Sequence, residues 1–142
     1  MSRVINVNSP GKARSQAMRT GAEVLRRLVE KTSLDDETRD MVAYLVFCFR
    51  AIDEGIEESV KAWEKRDYWI KAEQFRIKWA WVRDAAHDLE SILREDAWER
   101  LPQVLVKLLP HFEDIKVVKY TRSPKLWQNA YEQLLHQNGK SG

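Results

Sequence analysis

The chain is poor in residues that interrupt or cross-link a fold: its 142 residues include one cysteine, four prolines and five glycines. One cysteine excludes an intramolecular disulfide, and the scarcity of proline and glycine argues against a disordered chain. The longest apolar run, Met41 to Phe49, is too short to cross a bilayer. The N-terminus also lacks the charged-then-apolar order of a signal peptide. We therefore predict a cytoplasmic protein without a membrane partner, and Cys48 as a buried, reduced thiol.

The residues that are present have the balance of a globular domain, with 44% hydrophobic and 32% charged residues. A chain of this length can bury about two thirds of its unfolded surface in one core. The sequence shows no internal repeat and no low-complexity segment, so a helical solenoid has no support. We predict a single domain over residues 1–142, with loose ends at 1–8 and 138–142.

Charge is distributed unevenly along the chain, although the net charge is only +2. Residues 1–31 carry seven Lys/Arg against two Asp/Glu, residues 32–114 carry twelve against nineteen, and residues 115–142 carry five against one. The two ends are therefore basic and the middle is acidic. The simpler interpretation is that the basic ends pack across the acidic central helices, and the alternative is a surface for an anionic partner.

The most regular apolar pattern lies between residues 72 and 93, where apolar residues alternate spacings of three and four. This spacing is typical of one face of a bundle helix. Other segments repeat it, so the predicted fold is all-α: a helical bundle of four main helices plus one shorter helix, around a central antiparallel hairpin. The residues of this seam are Ala72, Phe75, Trp79, Val82, Ala86, Leu89 and Leu93.

Capping signals predict where the first two helices begin. Ser9 and Pro10 supply an N-cap followed by proline at the first helical position, and the apolar spacing then continues to about Lys31. Residues 32–35 make a break. The acidic residues 35–37 place negative charge in the first turn of the second helix, where it interacts favourably with the positive end of the helix dipole.

A turn is required between the second and third helices. No glycine or proline marks it clearly, but a continuous helix from 36 to 95 would extend about 90 Å, which is implausible for one domain. We predict the turn at residues 65–68, with Asp67 as the cap of helix three. A long unbroken helix used in an oligomer is the alternative.

The remaining chain is predicted to form a shorter helical segment, a connector and a last helix. Apolar residues over 98–112 keep helical spacing through Pro102, which belongs near a helix start or kink, and Pro110 ends the segment. Residues 115–120 read as extended chain or a short strand. Ser123-Pro124 then repeats the cap-and-proline signal before a last amphipathic helix.

Residues that carry chemistry are sparse and form no catalytic motif. Asp84-x-x-His87 occurs once, whereas di-metal carboxylate bundles need Glu-x-x-His from two helices and a glutamate from each of two others. His111 and His136 are isolated, without the spacing of zinc ligands. We therefore predict no catalytic, cofactor-binding or metal-binding residues. A metal-dependent bundle enzyme around Glu57, Asp84 and His87 is kept as the second alternative.

The third predicted helix has two apolar faces. Opposite the seam over 72–93, a second strip is formed by Ile70, Ile77, Trp81 and Ile92. Either this helix is packed on both sides, or the strip is an interface with an aromatic anchor. Our first hypothesis is a non-enzymatic bundle that acts through protein–protein association, as a homodimer or an adaptor, using this strip.

The basic ends support the other functional hypothesis. Cations along helix one could contact phosphates electrostatically, and so could those of a second basic segment, residues 116–125. No helix-turn-helix spacing, zinc knuckle or aromatic RNA-binding motif accompanies them. The alternative function is therefore nucleic-acid binding, with contacts expected from Lys12, Arg14, Arg19, Lys116, Lys119, Arg122 and Lys125.

Overall fold

The computed structural model describes residues 9–141, with side chains up to Gln137. Five α-helices and no strand occur in this range, which confirms the predicted all-α class. The predicted loose end at 1–8 lies outside the described residues, and of the one at 138–142 only the helical backbone up to Ser141 is described. The helices are α1 (Pro10–Val29), α2 (Asp36–Lys65), α3 (Trp69–Glu95), α4 (Leu101–Leu108) and α5 (Ala130–Ser141).

Helix α1 begins at the predicted position. The Ser9 hydroxyl accepts a hydrogen bond from the Lys12 backbone N–H at 3.3 Å, and Pro10 occupies the first helical position. Proline is tolerated there because the N–H groups of a first turn have no partner within the helix. The helix packs against α2. Its buried residues are Met18, Gly21, Ala22, Glu23, Val24, Leu25 and Leu28.

Helices α2 and α3 form the central hairpin, and the turn between them lies where it was predicted. At the start of α2, the Asp35 carboxylate accepts a hydrogen bond from the Thr38 backbone N–H at 2.8 Å. The predicted cap of α3 was wrong. Asp67 adopts the left-handed conformation, with φ at 65°, and Tyr68 precedes the helix without a side-chain cap. Asp is one of the few residues that tolerate this conformation, so Asp67 closes the tight turn instead.

The second half of the chain departs further from its sequence pattern. Helix α4 is flanked by 3₁₀ turns at Trp98–Arg100 and Leu109–Phe112, with Pro102 near its start as predicted. The Ser123-Pro124 signal starts only a 3₁₀ turn, so the last helix begins later than expected. Asn129, with φ at 66°, interrupts the helical path just before α5.

The core lies around α2, which packs against α1, α3 and α5. Its largest fully buried side chains are Trp127, Phe49 and Met41. The indole of Trp127 donates a hydrogen bond to a Glu37 carboxylate oxygen at 3.2 Å. This contact fixes the chain just before α5 to the first turn of α2.

Cys48 is buried in α2 and free, as predicted. Burial raises the pKa of its thiol to about 12, and a hydrogen bond with Tyr44 reverses only part of that rise. The thiol is therefore protonated at neutral pH and is a poor nucleophile.

No helix among residues 9–141 is long and apolar enough to span a membrane.

The central hairpin supplies counter-ions for its own acidic residues. Arg83 of α3 lies 3.3 Å from Asp53 and 3.2 Å from Glu57 of α2, and Glu90 pairs with arginines of both helices. The interpretation that the basic ends neutralise the acidic centre was therefore only partly right. Lys31, at 2.9 Å from Glu37, is a contact of the expected kind.

Candidate functional site

The segment between Phe112 and Pro124, residues 113–123, is called the connector, and one buried carboxylate holds it against α1. Glu23 is only 1% exposed. Its oxygens accept hydrogen bonds from the backbone N–H groups of Thr121 at 3.1 Å and Arg122 at 2.9 Å. The Arg122 guanidinium also lies 3.4 Å from the carboxylate. A buried carboxylate is tolerated only with such partners, so Glu23 fixes this part of the connector.

The Glu23 carboxyl is ionised at neutral pH despite its burial. Burial by itself raises the pKa of Glu23, but the hydrogen bonds from the backbone of Arg122 and Thr121 and from the Arg122 side chain outweigh that effect. The resulting pKa lies below the ordinary value for glutamate. The attachment is therefore charge-assisted, which makes it stronger than one between neutral groups.

Side chains of the last turns of α1 extend the attachment. The Arg26 guanidinium donates a hydrogen bond to the Val117 carbonyl at 2.8 Å. The Tyr120 hydroxyl donates to the Glu30 carboxylate at 2.6 Å, and the Arg27 guanidinium carbon lies 4.2 Å from the centre of the Tyr120 ring. The connector has no regular secondary structure, so these contacts are what define its path.

Between α1 and the connector lies a cleft of about 790 Å³, which we name the basic cleft. This volume is within the range of small-molecule sites. The α1 wall consists of residues three or four positions apart, which place their side chains on one helical face. The lining is formed by Gly11, Arg14, Ser15, Met18, Arg19 and Glu23 of α1, by residues 114–119, Thr121 and Arg122 of the connector, and by Trp79 and His111.

The basic cleft has an excess of positive charge. Five Lys/Arg and two carboxylates line it, for a net charge of +3. Glu23 and Arg122 neutralise each other. Arg19, Lys116 and Lys119 are exposed, and none of them forms an ion pair within the described part of the chain. Their charges are therefore available to an anion.

Arg14 adds a charge at a more protected position. Its guanidinium carbon lies 5.0 Å from the centre of the Phe75 ring and 5.4 Å from that of Trp79. Burial lowers the pKa of Arg14, but a guanidinium keeps its proton at neutral pH. Its Nη1 group is shielded from solvent and has no hydrogen-bond acceptor among residues 9–141. Arg14 also forms no ion pair within residues 9–141, so its charge adds to the positive potential of the cleft.

Two rings of an aromatic stack, Trp79 and His111, line the basic cleft. The His111 ring lies 4.0 Å from the Trp81 ring with an interplanar angle of 8°, and Trp81 lies 6.1 Å from Trp79 at 28°. Burial lowers the pKa of the His111 imidazole, so this ring is neutral at pH 7. The cleft therefore combines cations with aromatic surface.

The structure brings together five of the seven cations that the sequence assigned to nucleic-acid contact. The other two, Lys12 and Lys125, lie outside the lining of the basic cleft. Sequence reasoning missed His111, which had no partner nearby in the chain, and Trp79, which was assigned to the α3 seam. Glu23 was also missed, although an acidic residue beside the apolar seam of a basic helix was a usable signal.

The strip assigned to protein association is divided by the fold. Ile92 is fully buried, so a partner cannot reach it in this structure. Trp81 is half-buried and packs edge-on against Phe49 and Phe112, with ring centres 5.7 and 5.9 Å away. The last two members, Ile70 and Ile77, are exposed.

The exposed half of that strip continues around the start of α3. Ile70 is 75% exposed and Ile77 is 65% exposed. Tyr68 and Trp69 are more than half exposed and adjoin them in the chain. We name these four residues the hairpin-end patch. Contiguous exposed apolar surface is typical of interaction sites, so these four exposed side chains make this end of the hairpin a candidate interface.

The three residues of the metal-dependent alternative are not brought together: Glu57 and Asp84 line one small cavity, but His87 is not part of its lining. The Glu57 carboxylate binds Arg83 at 3.2 Å, and Asp84 and His87 are exposed on α3. Among the residues whose placement is described, no group of three or more His, Cys, Asp or Glu could hold a metal ion. This alternative gains no support from the geometry.

A second cavity, of about 440 Å³, lies between the end of α1 and α4 and is mainly apolar. Lys31 on its rim already contacts Asp35 and Glu37 at 3.0 and 2.9 Å. The cavity therefore offers no free charge that would orient a ligand, and the basic cleft is the stronger candidate.

Comparison with known proteins adds no functional information. No protein-family model, curated protein or solved structure matches this chain. The function has to be argued from the residues of the chain itself.

Proposed function

We propose that the protein binds nucleic acid through the basic cleft. The observation that carries the proposal is that unpaired cations from two distant parts of the chain share one cavity: Arg19 from α1, and Lys116 and Lys119 from the connector. A polyanion has phosphates at regular intervals and can contact both walls at once. Ordinary solvated lysines on a helix would not be expected to converge in this way.

Phosphate contacts of this kind make binding dependent on salt, because each neutralised phosphate releases counter-ions. If three or four phosphates are neutralised, affinity is expected to fall about 20- to 100-fold between 50 and 200 mM salt. Fluorescence anisotropy with a labelled 12-nucleotide oligomer measures this dependence. Binding that is absent at low salt, or that does not respond to salt, would contradict the proposal.

Charge reversal on both walls of the cleft is expected to weaken binding strongly. The double variant Arg19→Glu, Lys119→Glu should lose about 100-fold in affinity at 50 mM salt, because each change removes an attraction and adds a repulsion of about 1 kcal/mol or less. The same anisotropy assay measures the effect. Lys125→Glu is the matched control, since Lys125 follows the connector but lies outside the cleft. An equal loss in the control would show that only overall charge matters.

We propose as a second function that the hairpin-end patch binds a second copy of this chain. Four large side chains, each more than half exposed, support this, and tryptophan is a frequent anchor of interfaces. Exposed residues of both signs, including Asp67 and Lys78, adjoin the patch in the chain. In a two-fold contact a patch faces its own copy, so mixed charges allow unlike charges to pair.

Glutamate substitutions test this association without disturbing the fold. Ile70→Glu and Ile77→Glu are expected to convert the dimer into a monomer while changing the free energy of unfolding of the monomer by only about 0.5 kcal/mol or less, since both side chains are exposed. Analytical ultracentrifugation measures the mass. Val106→Glu, at a 64% exposed position on α4, is the control. A wild-type protein that is monomeric at every concentration would contradict the proposal.

A further inference from the structure

One face of the His111 ring is covered by Trp81. The Trp81 ring lies nearly parallel to it at 4.0 Å, which is full stacking contact. His111 is nevertheless exposed as a residue and belongs to the lining of the basic cleft. Since Trp81 covers one face, only the opposite face and the edge of the ring remain for a ligand to contact.

The His111 ring shares its cavity with cations from both walls of the basic cleft. Lys116 and Lys119 of the connector and Arg14 and Arg19 of α1 line the same cavity as His111. A phosphate held by these residues would bring its attached sugar and base into the cavity as well. Aromatic surface next to a positively charged groove is the combination by which proteins bind single strands, with phosphates on the cations and bases on the rings.

We propose that the basic cleft takes a single-stranded nucleic acid and stacks one base on the face of His111 that Trp81 does not cover. This inference rests on the proposed nucleic-acid binding and specifies its substrate class. The base would extend the existing stack of Trp79, Trp81 and His111 by one more ring. A base inside a duplex is covered on both faces by its neighbours, so an intact duplex cannot make this contact.

Three probes of equal length separate stacking from charge: a single-stranded 12-nucleotide oligomer, the same backbone without bases, and the matching duplex. The single strand is expected to bind about 5- to 100-fold more tightly than the abasic backbone, which is the effect of stacking one base. The single strand is also expected to bind more tightly than the duplex. Anisotropy at a fixed salt concentration gives all three affinities.

Variants at His111 test whether the base stacks on this residue. His111→Ala should weaken binding of the single strand about 5- to 100-fold and leave the abasic backbone unaffected, whereas His111→Phe should retain most of the affinity because it keeps a flat ring. His136→Ala, at an exposed position on α5, is the control. Thermal unfolding of each variant shows whether the fold is kept, and the His111→Phe variant keeps the test decisive if alanine disturbs Trp81.

The outcomes separate this inference from the function on which it rests. If Arg19→Glu, Lys119→Glu abolishes binding but His111→Ala has no effect, or if duplex and single strand bind equally, the stacking proposal is overturned while nucleic-acid binding remains. If no probe binds at low salt, both proposals are overturned. Selective loss of single-strand binding in His111→Ala, restored in His111→Phe, supports both.

Discussion

Replacing Glu23 with alanine is expected to lower the free energy of unfolding by about 3 kcal/mol and to abolish binding in the basic cleft. The carboxylate is buried and accepts hydrogen bonds from the backbone of Thr121 and Arg122. Without it, these donors lose their partner, and the guanidinium groups of Arg122 and Arg27 lose the carboxylate with which each forms an ion pair, at 3.4 Å in both cases. The connector would detach from α1, and one wall of the cleft would be lost. Urea denaturation and oligonucleotide anisotropy measure the two effects.

The contribution of Glu23 to stability is expected to depend on pH. Its pKa in the folded protein lies below the ordinary value of 4.5, so the stabilisation is fully present above pH 4.5 and is lost as the pH falls through the folded pKa. Glu23→Gln cannot ionise and should be destabilised at pH 7. The difference in stability between this variant and the wild type should therefore shrink below pH 4.5.

Glu30→Gln is the matched control for this prediction, because Glu30, directly after α1, is an exposed carboxylate that also contacts the connector. An exposed hydrogen bond contributes about 1 kcal/mol or less. The control should therefore keep nearly wild-type stability and binding. If Glu23→Ala were equally mild, the connector would be held by its other contacts and Glu23 would not be its main anchor.

Replacing Trp81 with glutamate is expected to destabilise the fold by about 4 kcal/mol or more. Trp81 packs against Phe49, Phe112 and His111. The substitution removes a large aromatic ring and places a charged group among apolar neighbours. A typical domain is stable by only about 5–15 kcal/mol, so much of the protein could unfold at 37 °C. Far-UV circular dichroism with urea titration measures the loss.

Ile77→Glu is the control for Trp81→Glu, because it places the same charge at an exposed position of the same strip. Both residues belong to the strip predicted from sequence, but Ile77 is 65% exposed whereas Trp81 packs against the core. Ile77→Glu should therefore leave the urea midpoint nearly unchanged. If Trp81→Glu instead remained fully stable and only changed the oligomeric state, the packing of Trp81 would be secondary to an interface role.

Local signals in the sequence predicted the helices well and their ends unevenly. The Ser9-Pro10 start of α1 and the turn at 65–68 were predicted correctly, because an N-cap with proline and the limit on helix length are local constraints. The last helix was predicted to begin at Ser123-Pro124, and this was wrong because these residues start a 3₁₀ turn. The turn does not continue as a helix because Asn129 adopts the left-handed conformation just before α5.

The candidate site could be predicted only in part. Basic residues on α1 and the connector were identified as a group, because charge is visible in the sequence. Their convergence was not predictable, since it depends on where Glu23 holds the connector. The sequence also could not separate Trp81 from Ile77, because both occupy the same apolar strip and only the neighbours of each side chain distinguish packing from exposure.

The sequence by itself determined the helical class, the central hairpin, the buried thiol of Cys48 and the basic character of the two ends. Each of these follows from composition or from spacing along the chain. Only the tertiary structure decided which cations share a cavity, that His111 stacks on Trp81, and which half of the apolar strip is exposed. The physical reason is that these properties depend on distances between residues far apart in the chain, which packing of the core sets and local pattern does not encode.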